Sequence, residues 1–254
     1  MTLYIIGLGL CDQNDVSVKG LKIIKSCEKV YLENYTSLLQ CSIKDLERLY
    51  EKKIILSDRN SSEQGMNKII LEAKDQDVAF LVIGDPVSAT THIDIWKEAL
   101  EKGTDVKIIN NASIFTAIGI TGLQLYKFGK TTSIPFLDDF PELETPYNIL
   151  KKNKEIGYHT LFLLDIKADK DRFMTIKQAI DVLKDIESRK KEGIINEELF
   201  VVGCSRLGCP DFKVRSGKLK EINNIDFGKS PHCLIIPGDM HFLEEEILEF
   251  HNKN

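Results

Sequence analysis

Apolar and polar positions along this chain change their period several times, and each change marks an element. Residues 78–83 (V-A-F-L-V-I) form an unbroken apolar run, β-branched and too short for a helix, as expected of a strand buried on both faces. Residues 2–9 (T-L-Y-I-I-G-L-G) read as a buried first strand opening into a turn. Val18, Leu21 and Ile24 then recur at helical spacing, with Asp15 or Ser17 placed to cap the helix. Short strands at 30–32 and 53–56 flank a helix over 43–50. Residues 61–73 carry an amphipathic stripe at Met66, Ile69 and Ile70, with Ser61 or Ser62 as the cap. A helix containing Ile95, Trp96 and Leu100 and a strand at 106–109 follow. This alternation of strand and helix predicts a mostly parallel sheet with helices on both faces.

Asn110-Asn111-Ala112-Ser113 is a polar turn leading into an apolar, helix-like segment over 114–125, and the pattern changes there. The boundary is placed at that turn, giving an N-terminal α/β domain over 1–110 and a mixed α/β domain over 111–254. The second part predicts strands at 131–136, 159–166, 199–204, 212–215 and 233–236. Its helices are 145–154, an amphipathic one at 174–190 (Ile176, Ala179, Ile180, Leu183, Ile186) and an acidic one at 244–250. Fewer helices between more strands imply a mixed or antiparallel sheet. No internal repeat is visible, and the Lys-Lys pairs at 151–152 and 190–191 read as solvated helix ends.

Composition narrows the classes without choosing among them. With 254 residues, 43% of them hydrophobic and 29% charged, the chain suits one large globular domain or two smaller ones. A formal net charge of -5 supplies no general attraction to nucleic acid or anionic membrane. The six cysteines lack C-x-x-C spacing, so no zinc site is expected, and several lie in apolar segments as reduced, buried thiols do. No basic leader precedes an apolar run, and no stretch approaches the ~20 apolar residues of a membrane span. The expectation is a cytoplasmic, reduced protein.

The candidate chemistry gathers after the first and fourth strands. In G-D-P-V-S-A-T-T-H (84–92), Pro86 has no N–H to donate and holds Asp85 extended, so the strand stops there. Asp85 therefore lies at the carboxyl end of a strand, where open α/β sheets place ligands. Ser88, Ala89, Thr90 and Thr91 are small enough to cap the following helix, and an ordinary strand-to-helix turn accounts for the same residues. Gly7 and Gly9 permit close backbone approach, but G-L-G-L-C-D lacks the third glycine and the immediate helix of a dinucleotide fingerprint. A loop over some other nucleoside stays open.

Taken together, Y-I-I-G-L-G-L (4–10), G-D-P-V-S-A-T-T-H (84–92), N-A-S-I (111–114), G-L-Q-L-Y-K-F-G (122–129), H-T-L-F-L-L-D-I-K (159–167) and S-P-H-C-L-I-I-P-G (230–238) resemble the diphthine synthase family. That family is a branch of the tetrapyrrole-methylase-like S-adenosylmethionine methyltransferases. N-A-S-I and H-T-L-F-L-L-D-I-K resemble its eukaryotic branch, which is associated with a fourth methylation giving diphthine methyl ester. The resemblance implies a two-domain tetrapyrrole methylase fold, a homodimer, and S-adenosylmethionine held between the domains. It also implies elongation factor 2 as the protein substrate. The cofactor contacts it implies are Leu10, Asp85, Ser88, Ser113, Ile114, Leu164, Cys204 and His232, with Ser205 fitting nearly as well as Cys204. Ser88 departs from the family, which usually has glycine there; a left-handed backbone at that position would strain serine by roughly 1 kcal/mol or more.

Methyl transfer from a sulfonium requires alignment of nucleophile, methyl carbon and sulfur, with no metal and no covalent intermediate. The implied acceptor is a histidine bearing an aminocarboxypropyl arm, methylated three times on nitrogen and, in the eukaryotic form, once on its carboxylate. An ammonium must lose its proton before each attack, whereas a carboxylate is already nucleophilic. Asp85 is read as orienting a ligand, Asp165 as equally a strand terminator, and His92 as a cap or core residue; no general base is assigned. Two alternatives remain: a same-fold methyltransferase acting on a tetrapyrrole or ribosomal RNA, and a non-enzymatic adaptor binding the translation factor.

Overall fold

The computed structural model describes residues 1–33, 35, 37–57, 62–90, 92–138, 140 and 142–253, with 62–65 and 169 described by backbone alone. Ser61 and Thr91, named above as capping candidates, lie outside the described residues. The chain divides into two compact units, Met1–Ala117 and Ile118–Asn254.

In the first unit the elements alternate as β1 (Thr2–Gly7), α1 (Val18–Ser26), β2 (Lys29–Glu33), α2 (Ile43–Tyr50), β3 (Ile54–Ser57), α3 (Ser62–Asp75), β4 (Val78–Val82), α4 (Ile93–Glu101), β5 (Asp105–Ile109) and α5 (Ile114–Ala117). The strands pair in the order β3-β2-β4-β1-β5, all parallel, with Ile5 opposite Phe80 on one side and Ile108 on the other. Alternate side chains go to opposite faces. Leu3, Ile5, Val78, Phe80 and Val82 pack with Ile69, Ile70 and Ala73 of α3 and Ile95 of α4. Ile6, Ala79 and Leu81 pack instead with Ile24 of α1 and Leu46 and Tyr50 of α2. Burial on both faces is why residues 78–83 lack a polar position; each large apolar side chain so buried contributes roughly 1.5–3 kcal/mol.

Helix starts follow local chemistry. Ser17, of the two candidates, caps α1 by accepting from the Gly20 N–H at 3.0 Å, and Ser42 forms a capping box with Asp45 on α2. The connection from β1 runs toward β2 and that from β4 toward β5, in opposite directions along the sheet. Beyond the Gly9–Gly84 bridge at the carboxyl ends of these neighbouring strands, the two connections therefore diverge. The division between units falls after Ala117, beyond the expected turn, because residues 110–113 are bonded into the first unit's loops: the Asn111 side chain donates to the Gly7 and Asp15 carbonyls at 2.9 and 3.0 Å.

The second unit contains β6 (Thr132–Ile134), α6 (Thr145–Glu155), β7 (Thr160–Leu164), β8 (Ile166–Lys167), β9 (Arg172–Phe173), α7 (Ile176–Lys190), β10 (Phe200–Ser205), β11 (Lys213–Lys218), α8 (Leu219–Ile222), β12 (His232–Ile236) and α9 (Phe242–Lys253). The five-stranded sheet has the order β11-β10-β12-β7-β6, antiparallel except for the parallel pair β6 and β7. Ile176, Ala179, Ile180, Leu183 and Ile186 of α7 pack on Phe162, Leu164, Val201, Leu234 and Ile236.

Three expectations need correction here. The apolar segment 114–125 is not one helix: after α5 it breaks into 3-10 turns at Ile118–Thr121 and Leu125–Lys127. Gly122 sits between them with φ +86, and a Cβ there would lie 2.4 Å from Ile247 of α9, so the helix cannot run through. The strand 159–166 stops at Leu164, because Asp165 turns the chain into the β8-β9 hairpin. The free thiols are Cys27, Cys41, Cys204 and Cys233, so the reading of a wholly reduced chain does not extend to Cys11 and Cys209.

Glu244 of α9 is fully buried and accepts from the Gln124 and His241 N–H groups at 2.8 and 2.7 Å, from Lys127 Nζ at 2.5 Å and from His159 Nε2 at 3.1 Å. Burial pushes its pKa up, but these bonds outweigh burial and hold it at about 2. Among the described residues no helix is long and apolar enough to cross a membrane.

Candidate functional site

The carboxyl ends of β1, β4 and β5 carry three loops tied to one another. Gly9 and Gly84 form a backbone bridge, with the Gly84 N–H donating to the Gly9 carbonyl at 2.8 Å and the Gly9 N–H to the Gly84 carbonyl at 3.3 Å. Gly84 has φ +84, a conformation that strains any residue with a Cβ. Asp85 follows, 5% exposed, and its carboxylate joins the loop after β4 to the loop after β5. Oδ1 accepts from the Val87 N–H at 3.0 Å, and Oδ2 accepts from Asn110 Nδ2 and the Asn111 N–H, both at 3.0 Å. Burial alone pushes the Asp85 pKa up; these bonds and one from the Ser88 hydroxyl more than cancel it and hold the carboxyl below its ordinary value.

Asp15 does the same for the first loop, accepting from the Leu10 and Cys11 N–H groups at 3.2 and 2.7 Å. A phosphate bound at this edge would need such N–H groups and would face two carboxylates. The edge therefore disfavours a dinucleotide and suits a cationic or neutral nucleoside. Leu10 and Ile114 are half-buried beside these loops, and buried Ser113 precedes α5, its hydroxyl accepting from the Phe115 N–H at 3.2 Å. Ser88 is absent from the residues with positive φ; the left-handed residue is Ala89, at φ 57. Serine in place of glycine at position 88 is thus unstrained.

His92 does not cap α4: it occupies the N-cap position without a side-chain bond to the helix. It is buried, with Nδ1 2.5 Å from Thr90 Oγ1 and Nε2 3.8 Å from Glu33 Oε2.

In the second unit the implied residues separate by what they can offer. Leu164 ends β7 in the core, 7% exposed. Asp165 is a fold residue: its Oδ2 accepts from the Phe136 N–H at 3.2 Å, and its carbonyl accepts from the Met174 N–H at 2.9 Å. Cys204 has no exposed surface, and a hydrogen bond with Cys233, followed by burial, raises its thiol pKa well above the ordinary value. Ser205 is equally committed, donating to the Phe227 carbonyl at 2.8 Å. Neither has a side chain to spare for a ligand.

His232 differs. Its Nε2 faces the Gly228 and Lys229 carbonyls at 3.2 and 3.1 Å, which fixes the proton on that nitrogen. Nδ1 is then a lone-pair acceptor, buried and without a hydrogen-bond partner. An N–H donor from a ligand, such as an exocyclic amine, would satisfy it. Burial lowers the pKa of this ring, so it stays neutral.

Asn110, Asn111 and Asp15 are the supporting residues that sequence reasoning missed; the two asparagines act through partners distant in the chain, and Asp15 through the neighbouring Leu10 and Cys11 N–H groups. Among the described residues no group of three or more His, Cys, Asp or Glu is placed to hold a metal.

Comparison with known proteins identifies the family. The model for Tetrapyrrole (Corrin/Porphyrin) Methylases matches residues 2–223. A diphthine synthase from Methanocaldococcus jannaschii is 50% identical over 251 residues, covering 98% of each chain. A diphthine methyl ester synthase from Dictyostelium discoideum is 45% identical, covering 98% of this chain and 97% of that one. A crystal structure of diphthine synthase superposes with TM-score 0.90 at 36% identity, covering 100% of this chain and 96% of the other. Another, from Entamoeba histolytica, reaches TM-score 0.91 at 42% identity, covering 99% and 98%.

Proposed function

The chain belongs to the tetrapyrrole (corrin/porphyrin) methylases and groups with the diphthine synthases among them, and from that membership we propose the reaction and the acceptor. The protein transfers methyl groups from S-adenosylmethionine to the aminocarboxypropyl arm on a histidine of elongation factor 2, three to the amine and a fourth to the carboxylate. The fourth follows the likeness to the methyl ester synthase and is the finer part of the reading. A cytoplasmic homodimer is part of the same proposal.

The cofactor, when bound, supplies an electrophilic methyl group on sulfur. Toward it the first unit offers the loop edge held by Asp85, with Leu10, Ser88, Ser113 and Ile114 beside it. The second unit offers Leu164 and the unpaired Nδ1 of His232. The observation that carries the reading is the Asp85 carboxylate: buried, ionised and spent on loop N–H groups, it shapes an edge for a cationic nucleoside and leaves no phosphate cradle. These residues bind and orient, as an in-line displacement requires.

Incubation of the purified protein with radiolabelled S-adenosylmethionine and elongation factor 2 bearing the unmethylated arm tests the proposal. Label in the factor supports it. Label appearing in a tetrapyrrole or ribosomal RNA and not in the factor replaces it with the same-fold alternative, and tight binding of the factor without turnover replaces it with the adaptor.

A further inference from the structure

At the carboxyl edge of the first sheet, a hydroxyl, an imidazole and a carboxylate stand in line. Thr90 Oγ1 lies 2.5 Å from His92 Nδ1, and His92 Nε2 lies 3.8 Å from Glu33 Oε2. Glu33 closes β2 and is fully buried, His92 is 5% exposed, and Thr90 keeps part of its surface in solvent. A carboxylate beside Nε2 favours the proton on that nitrogen, which leaves Nδ1 as the lone pair facing the hydroxyl. Glu33 from β2 is the charge acting on the ring, and Phe80 of β4 packs edge-on at 5.8 Å. Burial lowers the His92 pKa against the opposing pull of Glu33, which keeps the resting ring neutral. Capping does not explain this arrangement, since the ring makes no bond to its helix.

We propose that Thr90, His92 and Glu33 form a proton relay that deprotonates the acceptor ammonium before each methylation of nitrogen. The proposal rests on the amine-methylating reading above. Thr90 is the group that meets the amine, while His92 and Glu33 are positioning residues acting through it. The ammonium proton passes to Thr90 Oγ1 as the hydroxyl's own proton passes to His92 Nδ1. The nitrogen lone pair then forms the N–C bond while the S–C bond breaks, its electrons going to sulfur to leave the neutral sulfide. The imidazolium, facing Glu33, returns its proton to water through the same hydroxyl after the methylated arm departs.

The test compares the full-length wild type with His92→Gln, Thr90→Val and Thr90→Ser, measuring methylation of the amine between pH 6.5 and 9.5. At pH 7 the Gln and Val variants are expected to lose roughly a hundredfold in kcat, the lower end of a general-base contribution. S-adenosylmethionine affinity by calorimetry should stay at the wild-type value. The deficit should shrink as pH rises past ~8, where an α-amino group sheds its proton unaided, and Thr90→Ser should recover most of the rate. A deficit independent of pH, or none, overturns the relay. Should His92→Gln fail to fold by circular dichroism, the two Thr90 variants decide alone. A wild type that methylates nothing on this acceptor removes the substrate reading and the relay with it, whereas variants matching an active wild type remove only the relay.

Discussion

Asp85 Oδ2 lies 3.0 Å from the main-chain N–H of Asn111, twenty-six positions further along the chain. One carboxylate thereby fixes two loops of the first unit's carboxyl edge, and it does so as an ionised acceptor.

Asp85→Ala should remove the acceptor for the partly buried N–H groups of Val87 and Asn111, at roughly 0.5–1.5 kcal/mol each. The expected outcome is a folded protein by circular dichroism whose Kd for S-adenosylmethionine rises at least about tenfold, since ~1.4 kcal/mol of lost loop order suffices for that. Unchanged affinity by calorimetry would contradict the role assigned to this residue.

Ser88 has an ordinary backbone, and the left-handed residue of this loop is Ala89. Ser88→Gly should therefore lower stability by roughly 0.4–1 kcal/mol, because glycine only adds freedom to the unfolded chain. A rise in the denaturation midpoint for that variant would show that position 88 needs a positive φ after all.

Glu244 is held at about 2, against an ordinary value of 4.5. A depressed carboxyl contributes stability that is fully present above the unfolded value and lost as pH falls toward the folded one. Acid unfolding should thus include a component between pH 4.5 and 2 that Glu244→Gln removes. The same variant should lose on the order of 3 kcal/mol at pH 7, because Lys127 keeps a charge with no counterpart. Urea titration at several pH values checks both effects.

His159 is fully buried and accepts from the Gly238 N–H at Nδ1, so its neutral form is the one the fold is built around. Burial, opposed by Glu244, lowers its pKa from 6.5. The unfolded chain then binds the extra proton first, and stability falls as pH drops below 6.5. Thermal midpoints should decline from pH 7 to pH 5, and His159→Gln should flatten that decline. An equal slope in the variant would assign the effect to another group.

Most of the first unit was legible because its signals are local. Unbroken apolar strands and the Ser17 cap each act within a few residues, and α2 and α4 fall where the spacing puts them. The break in 114–125 was illegible because it depends on Ile247 packing against Gly122 across the second unit. The candidate site divides in the same way. Gly84-Asp85-Pro86 announces a strand end, but the partners of Asp85 Oδ2 come from a turn the sequence presented only as a boundary. Cys204 matched by position in the chain, yet its neighbour across the sheet, Cys233, takes its thiol. Glu33 and His92 meet only because β2 lies beside β4.

Intact-mass and fragment analysis of elongation factor 2 after exhaustive reaction with S-adenosylmethionine tests the central claim most directly. The account predicts methyl groups confined to the arm on the one histidine, three on nitrogen and a fourth lost under mild alkali. Methylation anywhere else, or a factor recovered with its arm unmodified by active protein, would contradict it.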